Sequence, residues 1–312
     1  MTHSKKFSGE VEFTVCPICE SDRVMYYRES RDRHYGIPGT FQTAKCESCG
    51  LVYLDPMLTV PALAGLYPEN YYSYQSPKVP AGPNVLIKRI LRLERVTLTP
   101  KFIRPGVLLD VGCGAGHYLF GMRARGWQVH GSELSKAGAE AGRSVGLDIR
   151  DGELMQAEFP ERMFDFVRAN HSLEHMPNPR QVLLEMHRLL KDDGVLVIGV
   201  PNIDGLLARV FGEYWWNFGV PVHTYNFNPE NLALLLKQCG FKVEKIRHYS
   251  DFSSLLGSIQ IFVNRKTRTG DSKGKILQSW LLRLPAQLLV RTIDFFRLGD
   301  CIEVQCKKIV AP

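Results

Sequence analysis

The sequence predicts an α/β fold with a largely parallel sheet, a small cysteine module before it and a helical extension after it. Three observations carry this prediction, and the first two are an apolar run ending in a glycine-rich turn, Val107 to Gly116, and two Cys-x2-Cys pairs near the N-terminus. The third is composition, because 312 residues with 45% hydrophobic and 23% charged side chains are enough to bury a substantial core. A fibrous or wholly disordered protein is thereby excluded.

The predicted N-terminal module, residues 1–58, carries four cysteines in two matched pairs. Cys16 and Cys19 form the first pair and Cys46 and Cys49 the second, with Gly50 directly after it. Four thiolates suit tetrahedral Zn²⁺ and leave no open coordination position for chemistry. We therefore predict a structural zinc ribbon, with free surface thiols as the alternative. Residues 59–99, rich in proline and tyrosine, are predicted to be a linker that ends in a helix capped by Asn84.

A strand, a glycine turn and a helix are predicted in succession after residue 105. The apolar run 107–111 is typical of a buried parallel strand, and a helix is expected over 118–125. A dinucleotide fold has a similar turn, but Asp110 at the strand end would repel a pyrophosphate and attract a cationic ligand such as S-adenosylmethionine (SAM). A second strand, 128–133, ends in Glu133, whose carboxylate can accept hydrogen bonds from ribose hydroxyls.

The segment Leu109-Asp-Val-Gly-Cys-Gly-Ala-Gly116 resembles the first motif of class I SAM-dependent methyltransferases. Later segments match in order over about residues 100–260, including Gly152-Glu-Leu154, Phe164-Asp-Phe-Val167 and Ser172-Leu-Glu-His175. The resemblance implies a Rossmann-like seven-stranded sheet with one antiparallel strand, in a SAM-binding domain over 100–265. The cofactor-binding residues it implies are Asp110, Gly112, Cys113 (through its amide), Gly114, Gly116, Glu133, Leu134, Glu153, Leu154, Asn170 and His171.

The candidate catalytic residues lie in Val222-His-Thr-Tyr-Asn-Phe227, which resembles a His-x-Tyr-x-Phe segment of sugar-modifying methyltransferases. There, His223 is expected to act as a general base and Tyr225 to contact the acceptor. The alternatives are that His223 caps a helix beginning at Pro229 and that Tyr225 packs in the core.

A second group of polar residues, His171, Glu174 and His175, would share one face if this stretch were helical. We expect Glu174 and His175 to brace the start of a helix, and a metal site completed by His223 is the open alternative.

The C-terminal extension, residues 266–312, is predicted to contain amphipathic helices broken near Pro285, followed by a final strand from Cys301. Residues 259–312 hold 10 basic and 4 acidic side chains, so most of the net charge of +7 lies there. This distribution disfavours a uniformly basic nucleic-acid binder. The helices are expected to pack on the sheet or on a second subunit, and contact with an anionic membrane surface is the alternative.

The order of these parts resembles bacterial sugar and polysaccharide-pathway methyltransferases. The resemblance implies methyl transfer from SAM to a saccharide or other small metabolite, with a lipid-linked acceptor among the options. An RNA methyltransferase and a non-catalytic SAM-binding scaffold are the alternatives, although the net charge of −1 over residues 1–58 speaks against RNA binding. Without a signal peptide or an apolar run of about 20 residues, the protein is expected to be cytoplasmic, with the inner face of the membrane as the peripheral alternative.

Overall fold

A computed structural model describes residues 10–11, 15–66, 74–77, 104–266 and 274–309. The predicted helix at Asn84 lies outside these residues, as does most of the predicted linker. Within the described part of the chain, no helix has both the length and the hydrophobicity needed to cross a bilayer.

The main sheet has seven strands in the order β12-β13-β10-β9-β6-β7-β8, and β13 alone runs antiparallel to the others. Its strands are β6 (Val107–Val111), β7 (Gln128–Glu133), β8 (Asp148–Asp151), β9 (Phe164–Asn170), β10 (Leu190–Pro201), β12 (Phe241–Tyr249) and β13 (Cys301–Lys308). The structure therefore confirms the predicted seven-stranded sheet. The central strands are almost continuously apolar because helices cover both faces.

The described helices include one, His117–Arg123, that overlaps the helix predicted over 118–125. They are α1 (Val60–Ala64), α2 (His117–Arg123), α3 (Lys136–Arg143), α4 (Pro179–Leu189), α5 (Leu206–Phe211), α6 (Pro229–Gln238), α7 (Phe252–Val263), α8 (Lys275–Gln278) and α9 (Trp280–Phe295). Helix α6 starts with Pro229 and is capped by Asn228, whose side chain accepts from the amide of Asn231 at 2.8 Å. The alternative that His223 caps this helix is therefore wrong.

The N-terminal module forms a second sheet, and a later segment of the chain completes it. Strands β2 (Val24–Ser30), β3 (Phe41–Cys46) and β4 (Val52–Leu54) are joined by β11 (Tyr225–Asn226), and a separate short pair consists of β1 (Glu10–Val11) and β5 (Met57–Leu58). Tyr225 pairs with Tyr53, and Asn226 pairs with Val52. The module and the larger domain therefore share a sheet, and one hydrophobic cluster runs from Cys16 to Leu235.

Two local predictions differ from the structure. Helix α9 continues through Pro285, and the break falls at Ser279, between α8 and α9. Pro285 removes a hydrogen bond only from the carbonyl of Leu281, and both residues are exposed, so water can satisfy that carbonyl. The stretch after β9 forms only a 3₁₀ turn, Leu173–His175, and His171 has φ +53°. His171 therefore does not share a helical face with Glu174 and His175.

Candidate active site

A cavity of about 900 Å³ opens at the carboxyl ends of β6, β7 and β9. Strand order reverses here, since β7 and β8 lie on one side of β6 and β9 and β10 lie on the other. Open α/β sheets bind ligands at such switch points. The predicted residues on its wall are Asp110, Gly112, Cys113, Gly114, Glu133, Leu134, Glu153, Leu154, Asn170 and His171.

The glycine turn allows the backbone to approach the cavity closely. Gly112, Gly114 and Gly116 all have positive φ, at +70°, +56° and +77°. A Cβ at Gly112 would lie 2.5 Å from the Cβ of Ser172, so a side chain there would push β9 away from the turn. Gly116 lies outside the cavity wall and begins α2, where a Cβ would lie 2.5 Å from Leu147 Cδ1. Gly116 therefore shapes the turn and does not itself line the cavity.

Asp110 does not face the cavity as an isolated anion. Both of its carboxylate oxygens accept from Nη1 of Arg168 at 3.1 Å, and both residues are buried. The guanidinium carbon of Arg168 also lies 3.9 Å from the centroid of the Tyr118 ring. Burial raises the pKa of Asp110, and the charge of Arg168 opposes that shift. The expected attraction of Asp110 for a cation is therefore reduced by an arginine that the sequence pattern did not single out.

Glu133 is held in place by two backbone amides. Its Oε2 accepts from Gly114 N at 2.8 Å, and its Oε1 accepts from Ser135 N at 2.9 Å. Burial raises the pKa of Glu133, and these two amides counteract that shift. Each carboxylate oxygen has a second lone pair for a ligand hydroxyl. Leu134 follows on the cavity wall and is 42% exposed.

Cys113 differs from its expected role. Its amide donates to Ser132 O at 3.1 Å, so this N–H is already used within the protein. Its thiol donates to the carbonyl of Gly114 at 3.5 Å, and burial raises the pKa of this thiol well above its usual range. Cys113 thus lines the cavity as a small neutral side chain, and the nearest backbone donors are engaged by β7.

The opposite end of the cavity is formed by residues 171–178. His171 Nε2 lies 2.7 Å from the hydroxyl oxygen of Tyr249, at the end of β12, and its Nδ1 lies 3.4 Å from Glu174 Oε1. His175 also lines the cavity, and its Nδ1 lies 2.8 Å from Val222 O. Burial lowers the pKa of His175 to about 4. This ring is therefore neutral at physiological pH.

His223 lies behind His175 rather than on the cavity wall itself. The two rings are 4.6 Å apart between centroids, and His223 Nδ1 lies 2.8 Å from Asn217 O. Burial lowers the pKa of His223 well below its usual value, and the neighbouring His175 ring adds to that shift. A base needs a pKa near the working pH, so this setting makes His223 a weak proton acceptor.

Tyr225 is 1% exposed and lies in the shared sheet, away from the cavity wall. Its hydroxyl donates to Pro177 O at 2.9 Å. Burial raises the pKa of Tyr225, so the hydroxyl keeps its proton. Tyr225 thereby ties the wall segment 176–178 to the cysteine module.

The segment directly after the cysteine module also contributes to the cavity wall, which the sequence did not indicate. Val60 and Leu63 of α1 line the cavity, as does Tyr74. His34 of the same module stacks against Trp216, with ring centroids 4.2 Å apart, and its Nε2 lies 2.6 Å from Trp216 O. In the sequence, only the short apolar segment after the second cysteine pair could have indicated this contribution to the cavity wall. Such a segment is equally typical of a helix that packs in the core.

The four predicted ligand cysteines come together in the module. Cys16 Sγ lies 3.7 Å from Cys49 Sγ, and Cys19 Sγ lies 3.5 Å from Cys46 Sγ. A tetrahedral zinc ion with Zn–S bonds of about 2.3 Å separates its sulfur ligands by about 3.8 Å. Gly50 has φ +73°, and its amide donates to Cys46 O at 2.9 Å, as expected for a tight turn around a metal. The residues present therefore fit structural zinc.

A sequence profile of the methyltransferase domain family matches residues 83–246. This chain belongs to that family. The match spans more than half of the chain and includes the glycine turn, Glu133 and β9. The protein is a SAM-dependent methyltransferase with a Rossmann-like fold.

Relatives of this methyltransferase include the ubiquinone biosynthesis O-methyltransferase of Pseudomonas syringae pv. tomato, 32% identical over 168 residues. That alignment covers 49% of this chain and 69% of the relative. The protein of the same name from Thiobacillus denitrificans is 30% identical over 154 residues, covering 45% and 66%. A crystal structure of a SAM-dependent methyltransferase from Archaeoglobus fulgidus is similar with a TM-score of 0.47 and 20% identity, covering 73% of this chain and 95% of that one.

Proposed function

We propose that this methyltransferase transfers the SAM methyl group to an oxygen of a small hydroxylated acceptor, a saccharide or another small metabolite. The observation that carries the proposal is a single cavity with two chemically different ends. One end holds the glycine turn and Glu133, and the other holds His171 and His175. Relatives named as ubiquinone biosynthesis O-methyltransferases support a small-molecule acceptor and transfer to oxygen.

The cofactor end would hold SAM through Glu133, Leu134 and the wall residues Glu153 and Leu154. Glu133 accepts ribose hydroxyls, and Asn170 and His171 border the methionine portion. When bound, SAM supplies a methyl group on a positively charged sulfur, which needs little further activation. The protein's contribution is therefore mainly to hold the acceptor in line with that carbon and to exclude water.

The acceptor end would position a hydroxyl and accept its proton. In this proposal His171, on the cavity wall, accepts the proton at Nδ1, while its Nε2–H donates to the Tyr249 hydroxyl oxygen at 2.7 Å. The carboxylate of Glu174, 3.4 Å from Nδ1, would stabilise the ring once it is charged. His175 lines the same end of the cavity, and His223 packs against His175. Tyr225 acts through Pro177 on the shape of this wall, and it does not contact the acceptor.

The test uses purified full-length protein, radiolabelled SAM and a cell extract that is separated after reaction. Label is expected in the small-molecule or lipid-soluble fraction, and it should disappear in His171→Gln while SAM affinity changes little. Label confined to RNA would contradict the proposal. Absence of label, with SAM binding intact, would instead support a SAM-binding scaffold.

We also propose that structural Zn²⁺ occupies the four-cysteine cluster. Metal analysis of the purified protein should give one zinc per chain, and Cys16→Ser should lose it. Retention of zinc in that variant would contradict the assignment.

A peripheral membrane contact through α9 is part of the proposal for a lipid-linked acceptor. The helix exposes between 50% and 82% of six large apolar side chains: Trp280, Leu281, Leu284, Leu288, Leu289 and Phe295. The exposed charged residues of α9 are Arg283 and Arg291, and its acid Asp294 is turned inward onto Ser250. An apolar face flanked by arginines suits an anionic lipid surface, whereas a second copy would bring like charges together.

Vesicle flotation tests this contact directly. Binding to vesicles with anionic lipid is expected for the wild type and is expected to fall roughly tenfold in Arg283→Glu/Arg291→Glu. Lys136→Glu/Lys242→Glu, a matched charge change elsewhere on the surface, should leave binding unchanged. Equal binding by all three proteins, or a salt-independent dimer that covers α9, would contradict the membrane contact.

A further inference from the structure

Helix α9 is connected to the acceptor end of the cavity through the end of strand β12. Its acid, Asp294, accepts from Ser250 N at 2.9 Å and from Ser250 Oγ at 2.6 Å. Ser250 directly follows Tyr249, whose hydroxyl oxygen lies 2.7 Å from His171 Nε2. We propose that Asp294 is a positioning residue, which fixes Tyr249 and thereby orients His171. The effect on methyl transfer rests on the proposed function, whereas the state of the His171 ring can be measured without any turnover.

The Tyr249 hydroxyl determines which nitrogen of His171 is available for a proton. The two rings are nearly perpendicular, with 87° between their planes and 6.3 Å between their centroids. When Nε2–H donates to the hydroxyl oxygen, Nδ1 keeps the lone pair that accepts a proton. Nδ1 lies 3.4 Å from Glu174 Oε1. If Tyr249 moves away, Glu174 is the remaining acceptor, and it favours the tautomer in which Nδ1 already carries its proton.

The residues around Asp294 hold three distant segments of the chain together. Ser250 Oγ also accepts from Asp300 N at 2.9 Å, so this hydroxyl links α9 to the residue that precedes β13. Gly299 fits closely against both sides, since a Cβ there would lie 2.8 Å from Asp294 Oδ1 and 2.8 Å from Tyr249 N. The end of α9, the start of β13 and the end of β12 therefore meet at Ser250 and restrict the position of Tyr249.

Tyr249 depends on this support because the strand pairing ends with it. It is the last residue of β12 and pairs with Cys301, the first residue of β13. Ser250 is buried, so its amide and hydroxyl need acceptors inside the protein, and Asp294 accepts from both. Loss of this carboxylate leaves two buried donors unsatisfied. The chain at 249–250 is then expected to shift toward other partners and to take the Tyr249 hydroxyl with it.

The test combines two single variants of the full-length protein with their double variant. The initial rate of methyl transfer is measured with radiolabelled SAM and the cell extract, and SAM affinity is measured by calorimetry. Asp294→Ala and Tyr249→Phe should each lower the rate roughly tenfold, with SAM affinity within about twofold of the wild type. Because Asp294 acts through Tyr249, Asp294→Ala should lower the rate by less than about twofold when Tyr249→Phe is already present. Independent structural effects would instead multiply.

The matched control is Asp251→Asn. Asp251 caps α7 by accepting from Ser253 N at 2.9 Å, and it lies only two residues after Tyr249 in the same segment. This variant removes a carboxylate from a backbone amide, as Asp294→Ala does, and should transfer methyl groups at the wild-type rate. A loss equal to that of Asp294→Ala would mean that any damage to this segment lowers the rate.

Nitrogen-15 NMR of histidine-labelled protein reads the ring of His171 directly, and His171→Gln identifies its signals. In the wild type the proton of the neutral ring is expected on Nε2. In Asp294→Ala and in Tyr249→Phe, a larger share of molecules should carry it on Nδ1. Asp251→Asn should give the wild-type spectrum.

Rate losses that multiply fully in the double variant would overturn the proposal. A proton on Nδ1 of His171 in the wild type would do the same, as would a wild-type His171 spectrum in Asp294→Ala. Melting temperature is measured for every variant, and Ser250→Ala, which removes only the linking hydroxyl, replaces Asp294→Ala if that variant does not fold. Expected His171 spectra in a protein that transfers no methyl group would refute the proposed function and leave the positioning role of Asp294 standing.

Discussion

The two ends of the cavity are built in different ways. The cofactor end comes from one continuous strand, turn and helix and from the end of the next strand, all within residues 107–135. The acceptor end combines the segment after β9 with residues that hold that segment from outside the cavity, namely Val222, Tyr225 and Tyr249. Helix α1, which follows the cysteine module, also lines the cavity. We expect the cofactor end, which is built from one continuous segment, to keep its shape when distant segments are altered. The acceptor end is built from several distant segments, so a change in any of them should affect it.

Disruption of the cysteine module should give the largest difference between the two ends, because it should lower methyl transfer far more than it lowers SAM affinity. In Cys46→Ser we expect loss of zinc and a fall in methyl transfer of roughly 100-fold, because β3, β4 and β11 lose their anchor next to His223. SAM affinity, measured by calorimetry, should change by less than about fivefold, since the amides of the glycine turn are held by Ser132 and Glu133 of β7 rather than by this sheet. Cys239→Ser, a buried cysteine outside the cluster, is the matched control. An equal loss of SAM affinity would show that the two ends are not independent.

The converse change affects the cofactor end alone. Glu133→Ala removes the acceptor of the Gly114 and Ser135 amides and of the ribose hydroxyls, so SAM affinity should fall about 100-fold, or roughly 2.7 kcal/mol. Zinc content should stay at the wild-type value. Glu140→Ala, an exposed acid on α3, serves as the control. Near-normal affinity in Glu133→Ala would mean that another group holds the ribose.

The acceptor end should also respond to pH through a buried acid beneath it. Asp300 accepts from Trp215 Nε1, from Asn217 Nδ2 at 2.7 Å and from Ser254 Oγ, and burial raises its pKa to about 7. The folded protein therefore holds a proton that the unfolded chain has released above about pH 4. Stability from this group is complete at low pH and is lost as the pH rises through 7.

Thermal unfolding between pH 5 and pH 8 measures this effect as the change in melting temperature with pH. The melting temperature of the wild type should fall by a few degrees more over this range than that of Asp300→Asn, which cannot titrate. The overall stability of the variant is not the readout. Parallel slopes for the two proteins would contradict a raised pKa at Asp300.

The smallest expected effect concerns Tyr225. Tyr225→Phe removes the hydrogen bond to Pro177 O and should cost about 1 kcal/mol of unfolding free energy in chemical denaturation. Methyl transfer should stay within about threefold of the wild type, since the hydroxyl lies outside the cavity wall. Tyr26→Phe, on the exposed side of the module, is the matched control. A tenfold fall in kcat without loss of stability would contradict this expectation and would support direct contact between Tyr225 and the acceptor.

Much of the cofactor end could be predicted because its signals are local. Gly112, Gly114 and Glu133 stand at fixed offsets from buried strands, and strand ends determine which side chains reach the cavity. The role of Arg168 could not be predicted, because Arg168 pairs with Asp110 across two neighbouring strands and the sequence does not show the register of those strands. The contact between Tyr249 and His171 could not be predicted either, because the two residues are 78 positions apart in the sequence.

The sequence alone determined the α/β class of fold, the glycine turn, the paired cysteines and the amphipathic character of the C-terminal helix, because each depends on spacing within a short segment. The number of strands came from the resemblance to class I methyltransferases over about residues 100–260. Tertiary structure decided that Asp110 is paired with Arg168, that β11 joins the cysteine module, and that His223 lies beside His175 and Glu174. These depend on which distant segments pack together, and packing free energy is shared among many weak contacts that no single motif encodes.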